Sequence, residues 1–198
     1  MTKYHKITGQ KISQKDKEIG RFIDLLKSSG VTSYLEIGAR QGNTFYDIMT
    51  SLPIGSIGVA VDLPGGTWGK SGTDLHLKKV CDILTDMGYK IYMYLGDSTT
   101  EDIISSVNQH APYDAALIDG DHRYAGVKAD FDNYSPMINS IVAFHDIDGR
   151  GVVQSSNPDL AVEVPILWDE LKEQYVYREF IDKEDEPHRP MGIGVIFK

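Results

Sequence analysis

Short apolar segments alternate with amphipathic segments along most of the chain. Apolar segments such as SYLEIG, SIGVAVDL and YDAALIDGD are predicted strands, and segments such as KDKEIGRFIDLLKSSG, with apolar residues at helical spacing, are predicted helices. A helix is also predicted over RYAGVKADFDNYSPMI, residues 123–138. Seven strands are expected in all, the last two being YVYREFID and MGIGVIFK. Strands that alternate with helices predict an α/β, doubly wound, mostly parallel Rossmann-like sheet with helices on both faces.

Composition and charge limit the partners that such a chain can have. The chain has 198 residues, a net charge of -9 and one cysteine, Cys81. We expect one domain over residues 1–198, in which residues 1–30 are an N-terminal helical extension covering the site. The acidic balance argues against nucleic acid, and no apolar run is long enough for a membrane. A polar N-terminus predicts a cytoplasmic protein. A homo-oligomer is compatible with the sequence, and Cys81 is expected in the core.

Acidic residues recur where the predicted strands end. Glu36 lies within the first strand, and later strands end in acids at Asp62, Asp97, Asp119 and Asp146. Ligands of such sheets bind beyond the carboxyl ends of the strands. Packing alone would not gather carboxylates there, because like charges repel. The sequence therefore predicts a binding cleft at this edge of the sheet.

The first strand-to-helix turn, LEIGARQG, contains Gly38 and Gly42, with Arg40 between them. These glycines fit both a tight structural turn and a turn that brings backbone close to a ligand. Asp62, at the end of the next strand, favours the second reading because an acid there can accept both hydroxyls of a ribose. Glu36 suits a positively charged ligand and would repel a pyrophosphate.

A second polar cluster follows two later strands. Asp119, Asp121 and His122 end one strand, and His145 and Asp146 end the next. If these strands are neighbours, carboxylates and imidazoles meet at one edge, which suggests a divalent metal. The alternative is that these groups form surface salt bridges with Arg123, Arg150 or Lys128.

The stretch PGGTWGKSGT at residues 64–73 is similar to a phosphate loop. A kinase or NTPase would use Gly69, Lys70 and Ser71 to hold phosphates. The glycine that this motif requires five positions before Gly69 is Pro64, which argues against a nucleotide triphosphate site. Two interpretations remain for this stretch. It is either a mobile lid beside the ribose, with Trp68 covering the ligand, or a plain flexible loop.

Several of these segments together resemble one family. YLEIGARQG, VAVD, YLGDS, YDAALIDGDHRYAGVKADFDNY and IVAFHD resemble motifs of class I S-adenosylmethionine-dependent methyltransferases. The resemblance extends over about residues 10 to 198 and is strongest to the small metal-dependent group, which is catechol-O-methyltransferase-like and cephalosporin-hydroxylase-like. It implies a single methyltransferase domain whose last two strands form an antiparallel hairpin. Arg40 departs from the general family pattern.

The resemblance also implies roles for individual residues. Gly38 and Gly42 would line the methionine part of S-adenosylmethionine, with Glu36 orienting the turn. Asp62 would bind the ribose, Asp97 and Ser98 would flank the adenine, and Asp119 would border the cofactor. An acidic cleft agrees with this assignment, because the cofactor carries a sulfonium and an amino group.

The implied reaction is metal-assisted O-methylation of a small hydroxylated molecule. Asp119, His145 and Asp146 would be the metal ligands. The family usually has acids or an amide at the last two positions, so His145 could instead lie behind the ligands without binding the metal. Mg or Mn is expected, with the identity open because imidazole suits Mn better than Mg. His122 would be the base, Asp121 is the alternative, and His122 could instead be a solvated loop residue. A non-catalytic nucleoside-binding module on the same fold is a further alternative.

Overall fold

The structure is a computed structural model that describes residues 16–66, 72–148, 160–182 and 191–198. Its strands are β1 (Ser33–Ile37), β2 (Ile57–Asp62), β3 (Lys90–Leu95), β4 (Tyr113–Ile118), β5 (Ile138–His145), β6 (Val176–Phe180) and β7 (Ile193–Phe197). Its helices are α1 (Asp16–Ser28), α2 (Asn43–Met49), α3 (Thr73–Asp86), α4 (Glu101–Asn108), α5 (Tyr124–Tyr134) and α6 (Val164–Lys172).

The strands of the described ranges form one seven-stranded sheet in the order β3-β2-β1-β4-β5-β7-β6. Strands β1 to β5 are parallel, and β7 runs antiparallel to both β5 and β6. This arrangement confirms the predicted fold class, including the C-terminal antiparallel hairpin. The strand order reverses between β1 and β4, and a crevice for a ligand is expected at the carboxyl ends on either side of that point.

Each face of the sheet carries its own layer of helices. One apolar cluster joins one sheet face to α1, α2 and α3, and the other joins the opposite face to α4, α5 and α6. In α1 the buried residues Ile19, Phe22 and Leu26 recur at helical spacing, so one stripe of the helix packs on the sheet. Cys81 is buried in the first cluster, which confirms its prediction as a core residue.

One predicted boundary was wrong. The helix expected over residues 123–138 ends at Tyr134, a 3-10 turn spans Ser135–Met137, and β5 begins at Ile138. Pro136 lies within that turn and explains the difference. Proline has no backbone N–H for a helical bond, and it disfavours helical geometry in the residue before it.

Helix α1 is anchored to the hairpin by a buried acid. The carboxylate of Glu18 accepts hydrogen bonds from the backbone N–H groups of Asp182, at 2.8 Å, and Gly192, at 3.1 Å. Residues 1–15 lie outside the described residues, so the predicted covering of the site by residues 1–30 stays a prediction. No helix in the described ranges has the length and apolar character needed to cross a membrane.

Candidate active site

A cavity of about 850 Å³ opens at the carboxyl edge of the parallel strands. Its walls come from the ends of β1, β2, β4 and β5, from the turns after β1 and β3, and from α5. The acids that line it are Glu36, Asp62, Asp97, Asp119, Asp121, Asp130 and Asp146. The predicted gathering of acids at one edge of the sheet is therefore present in the fold.

Gly38 is required by the close approach of two turns. Its φ is +85°, and a Cβ at this position would lie 2.2 Å from the carbonyl oxygen of Asp119. The backbone N–H of Gly38 donates to the carbonyl of Val61 at 2.9 Å, so the turn after β1 sits between β2 and β4. Gly42, with φ +79°, precedes the first residue of α2 and lets the chain enter that helix.

Asp62 presents one carboxylate oxygen to the protein and leaves the other for a ligand. Oδ1 accepts a hydrogen bond from the backbone N–H of Arg40 at 2.7 Å. Oδ2 is buried and has no hydrogen-bond partner within the described ranges. Burial raises the pKa of Asp62, against the opposing effects of the Arg40 N–H and guanidinium. A ligand hydroxyl that donated to Oδ2 would satisfy this buried acceptor.

Glu36 is buried at the base of the cavity and accepts a hydrogen bond from the Tyr34 hydroxyl at 2.7 Å. Burial raises the pKa of Glu36 to about 8, although the Tyr34 hydrogen bond acts in the opposite direction. The group is therefore largely protonated at neutral pH. The turn therefore carries less negative charge than an ionised glutamate would give it. The predicted role of Glu36 in orienting the turn stays a prediction.

The predicted adenine-flanking residues lie on the turn between β3 and α4. Asp97 Oδ1 accepts from both the backbone N–H and the hydroxyl of Thr99, at 2.9 and 2.7 Å. The Ser98 hydroxyl donates to Asp130 Oδ1 at 2.6 Å, and the Tyr134 hydroxyl donates to the Ser98 carbonyl at 2.7 Å. Helix α5 thus fixes the turn that carries Ser98.

Asp130 is a cavity residue that the sequence reasoning missed. Its side chain is fully buried, and Oδ2 has no hydrogen-bond partner among the residues that the structure describes. Burial raises the pKa of Asp130 to about 7, with the Ser98 hydrogen bond opposing that rise. The available signal was an acid on the apolar face of a helix, between Val127 and Phe131, where packing alone favours no charge.

The predicted second cluster forms a network of two acids and two imidazoles. Asp119 Oδ1 lies 3.1 Å from His145 Nδ1 and 3.4 Å from His122 Nε2. Asp146 Oδ2 lies 3.3 Å from His122 Nδ1 and 3.8 Å from His145 Nδ1. Strands β4 and β5 are neighbours, which is why residues distant in sequence meet here.

In this network the carboxylates and the imidazoles stabilise each other's charged forms, while the two imidazoles oppose each other. Burial alone would raise the pKa of Asp119, but His145 and His122 hold it below its usual range. Burial alone would lower the pKa of His145, but Asp119 and Asp146 raise it to about 9. The pKa of His122 is raised in the same way, with Asp119 outweighing the cost of burial. Asp146 itself has φ +61°, a strained backbone held at the cavity wall.

The predicted metal ligands lie side by side at one end of the cavity. Asp119, His145 and Asp146 come together, but the carboxylates face imidazoles as ion pairs. Among the described residues, no group of three or more His, Cys, Asp or Glu is arranged to hold a metal ion. Metal binding by Asp119, His145 and Asp146 therefore stays a prediction.

The alternative base, Asp121, has a different partner. Its carboxylate accepts hydrogen bonds from the backbone N–H and the Nε of Arg123, at 2.9 and 3.0 Å. Burial raises the pKa of Asp121, but Arg123 outweighs it and the pKa is lowered. Asp121 is thus a weaker proton acceptor than His122, the other residue predicted as the base.

Part of the Gly-rich stretch and some other predicted partners cannot be placed. Trp68, Gly69, Lys70, Ser71 and Arg150 lie outside the described residues, so the lid and phosphate-loop readings stay predictions. Lys128, the other predicted salt-bridge partner, pairs with Asp132 and not with the cluster.

Sequence comparison identifies the family. Residues 35–147, more than half of the chain, match the family described as a methyltransferase domain, and the chain belongs to that family. The match covers the turn after β1, Asp62 and the whole Asp–His network. The predicted family is thereby confirmed. Comparison with curated proteins finds no match.

Solved structures share the fold at low sequence identity. An O-methyltransferase from Bacillus cereus in complex with S-adenosylhomocysteine superposes with a TM-score of 0.70 at 13% identity, covering 94% of this chain and 83% of that one. The O-methyltransferase TomG from Streptomyces achromogenes, involved in tomaymycin synthesis and in complex with S-adenosylmethionine, gives a TM-score of 0.71 at 13% identity, covering 98% and 86%. These likenesses confirm the class I methyltransferase fold.

Proposed function

We propose that this protein is an S-adenosylmethionine-dependent O-methyltransferase that acts on a small hydroxylated molecule. One observation carries the proposal. A single cavity joins the Gly38–Gly42 turn and the open carboxylate oxygen of Asp62 to the network of His122 and Asp119. A cofactor held at the first part would face proton-accepting groups at the second.

The cofactor half of the cavity suits an adenosyl thioether or sulfonium. Asp62 Oδ2 offers a buried acceptor for the ribose hydroxyls. The turn at Ser98, fixed by Asp130, would border the adenine. Gly38 and Gly42 have no side chains, so at these two positions the methionine part can lie against backbone. Two neighbours on the same fold hold S-adenosylhomocysteine and S-adenosylmethionine, which supports an adenosyl cofactor for this chain.

The transfer is a single displacement. The oxygen of the acceptor hydroxyl attacks the methyl carbon, and the carbon–sulfur bond breaks with its electron pair staying on sulfur. The products are a methyl ether and S-adenosylhomocysteine, and the hydroxyl proton passes to a base. His122 is the proposed base, because its side chain lies at the cavity wall between Asp119 and Asp146. These two carboxylates stabilise the imidazolium that proton transfer forms.

His122 is favoured over Asp121 for this role. His122 accepts the hydroxyl proton in its neutral form, and Asp119, which raises the pKa of the imidazole, stabilises the imidazolium that the transfer forms. The pKa of Asp121 is lowered by Arg123, so its carboxylate binds a proton less tightly. Asp119 Oδ1 contacts the rings of both His122 and His145, so Asp119 positions His122 and stabilises its imidazolium.

Metal assistance by Mg or Mn is a separate hypothesis. The transfer described above uses the chain's own groups, and the ion-paired arrangement of Asp119, His145 and Asp146 gives no support to a metal at that place. Dialysis against a chelator tests the hypothesis directly. Full turnover after chelation would refute it, whereas loss of turnover that Mg or Mn restores would establish it.

Methyl transfer from cofactor with a labelled methyl group tests the proposed function. The purified protein is incubated with a panel of small phenols and alcohols and with matched amines and thiols. Label in a methyl ether, formed together with S-adenosylhomocysteine, is the expected result. Transfer only to amines or thiols would contradict O-methylation. Tight cofactor binding with no transfer to any acceptor would instead favour the nucleoside-binding module.

A further inference from the structure

Arg40 occupies an unusual place in the cavity wall. It lies in the turn between β1 and α2, and its backbone N–H is bound to Asp62 at 2.7 Å. The residue also lines the cavity, beside the end of β2. The residue therefore touches both the predicted ribose site and the open space next to it.

The backbone of Arg40 is held in a conformation that favours glycine. Its φ is +51°, and among the described residues only one other non-glycine residue, Asp146, has a positive φ. Gly38 and Gly42, in the same turn, also have positive φ. An L residue other than glycine is strained there, so a third glycine would fit the turn at lower energy. Arginine at this position therefore adds a side chain to the turn in exchange for backbone strain.

The guanidinium of Arg40 lies close enough to Asp62 to lower the pKa of that carboxyl, but one of its donors is unused in the described part of the chain. Its Nε is buried and has no hydrogen-bond partner within the described ranges. Arg123, the other arginine among the described cavity residues, is bound to Asp121 instead. A guanidinium stays charged at all relevant pH values, and a buried donor without an acceptor is unfavourable. The arrangement suits an acceptor supplied by a ligand.

We propose that Arg40 binds a carboxylate group of a ligand in this cavity. The planar guanidinium matches a carboxylate with two parallel hydrogen bonds. A phosphate fits less well, because its larger negative charge would face the many acids of the cavity wall. This inference rests on the proposed function, which supplies two sources of a carboxylate. One is the methionine part of the cofactor, and the other is an acidic acceptor molecule.

Calorimetry with two nucleosides tests the cofactor as the source. S-adenosylhomocysteine has the carboxylate, and 5′-methylthioadenosine lacks the whole amino-acid part. If Arg40 binds the cofactor, Arg40→Gln should weaken the binding of S-adenosylhomocysteine by about 10- to 100-fold. This is the loss expected for a hydrogen bond to a charged group. Arg40→Gln should leave the affinity for 5′-methylthioadenosine unchanged. Arg40→Lys should bind S-adenosylhomocysteine more tightly than Arg40→Gln does. Arg21→Gln, on the exposed face of α1, is the matched control.

A second titration tests the acceptor as the source. Benzoate and benzyl alcohol are titrated into the protein with and without S-adenosylhomocysteine. If Arg40 binds the acceptor, Arg40→Gln should bind benzoate no better than benzyl alcohol. Its affinities for the two nucleosides should equal those of the wild type. If wild-type and Arg40→Gln protein bind both nucleosides and both probes alike, the inference is wrong. Failure of wild-type protein to bind any adenosyl compound would refute the proposed function, and the benzoate titration would still decide the role of Arg40.

Arg40→Gly separates binding from a structural role. Glycine relieves the positive φ and keeps the backbone N–H that Asp62 accepts. We expect this variant to melt at the same or a higher temperature than the wild type, while losing carboxylate binding as Arg40→Gln does. A lower melting temperature with carboxylate binding retained would show that Arg40 serves the fold, and would overturn the inference.

Discussion

Replacing Asp62 with asparagine should weaken the binding of S-adenosylhomocysteine without unfolding the protein. The amide keeps a carbonyl oxygen for the Arg40 N–H, which Asp62 Oδ1 now accepts at 2.7 Å. It replaces the unpartnered Oδ2 with an NH₂ group, which cannot accept from a ribose hydroxyl. A hydrogen bond to a charged group contributes about 1.5–3 kcal/mol. At about 1.4 kcal/mol per tenfold, the affinity should fall by roughly 10- to 150-fold.

Isothermal titration calorimetry of the wild type and Asp62→Asn measures this loss directly. Asp24→Asn, on the exposed face of α1, changes the same charge away from the cavity and should bind like the wild type. A thermal melt of each variant shows whether the fold is intact. Equal affinity of Asp62→Asn and wild type, with equal melting temperatures, would remove Asp62 from the cofactor site.

Three further predictions concern other residues of the site. Gly38→Ala should destabilise the fold by more than about 1–3 kcal/mol in urea unfolding, because its Cβ would lie 2.2 Å from the Asp119 carbonyl oxygen; an unchanged midpoint would refute this. Glu36 has a folded pKa of about 8 against an ordinary 4.5, so the folded state binds more protons and stability falls as pH rises across that window. Glu36→Gln should flatten that fall in urea titrations, and an unaltered slope would show that Glu36 ionises normally. His122→Ala should lower turnover by about 10²- to 10⁴-fold while leaving calorimetric cofactor affinity intact, with exposed His76→Ala as control; equal turnover would exclude His122 as the base.

The fold could be predicted because its strands are marked in the sequence itself. The apolar run before Asp119 and the run before Asp146 end in acids, and parallel neighbours bring such ends to the same edge. The end of α5 was predicted less well, since Pro136 ends the helix four residues before its apolar pattern stops. The residue pattern predicts helix α5 itself, whereas the position of its end depends on Pro136.

The chemistry of the site was less predictable than its location. The raised pKa of Glu36 depends on burial beneath a turn that only the fold creates. Asp130 was missed because its partner, Ser98, is distant in sequence and meets it only when α5 lies against β4, beside the turn that follows β3. The pairing of Asp119 with two imidazoles likewise depends on side-chain directions that spacing along the chain does not give. Sequence placed these groups at one edge, and their partners came from tertiary contacts.

Thermal shift with four ligands tests the central claim, that this cavity holds an adenosyl cofactor for methyl transfer. The ligands are S-adenosylmethionine, S-adenosylhomocysteine, ATP and NAD, each at the same concentrations with the wild-type protein. A ligand at 100 times its Kd stabilises by about 2.7 kcal/mol, which is roughly 5–10 °C for a chain of this size. We expect shifts of that order with the two adenosyl thio compounds and none with ATP or NAD. A shift with ATP and none with either adenosyl thio compound would contradict the account and return the Gly-rich stretch at 64–73 to consideration as a phosphate loop.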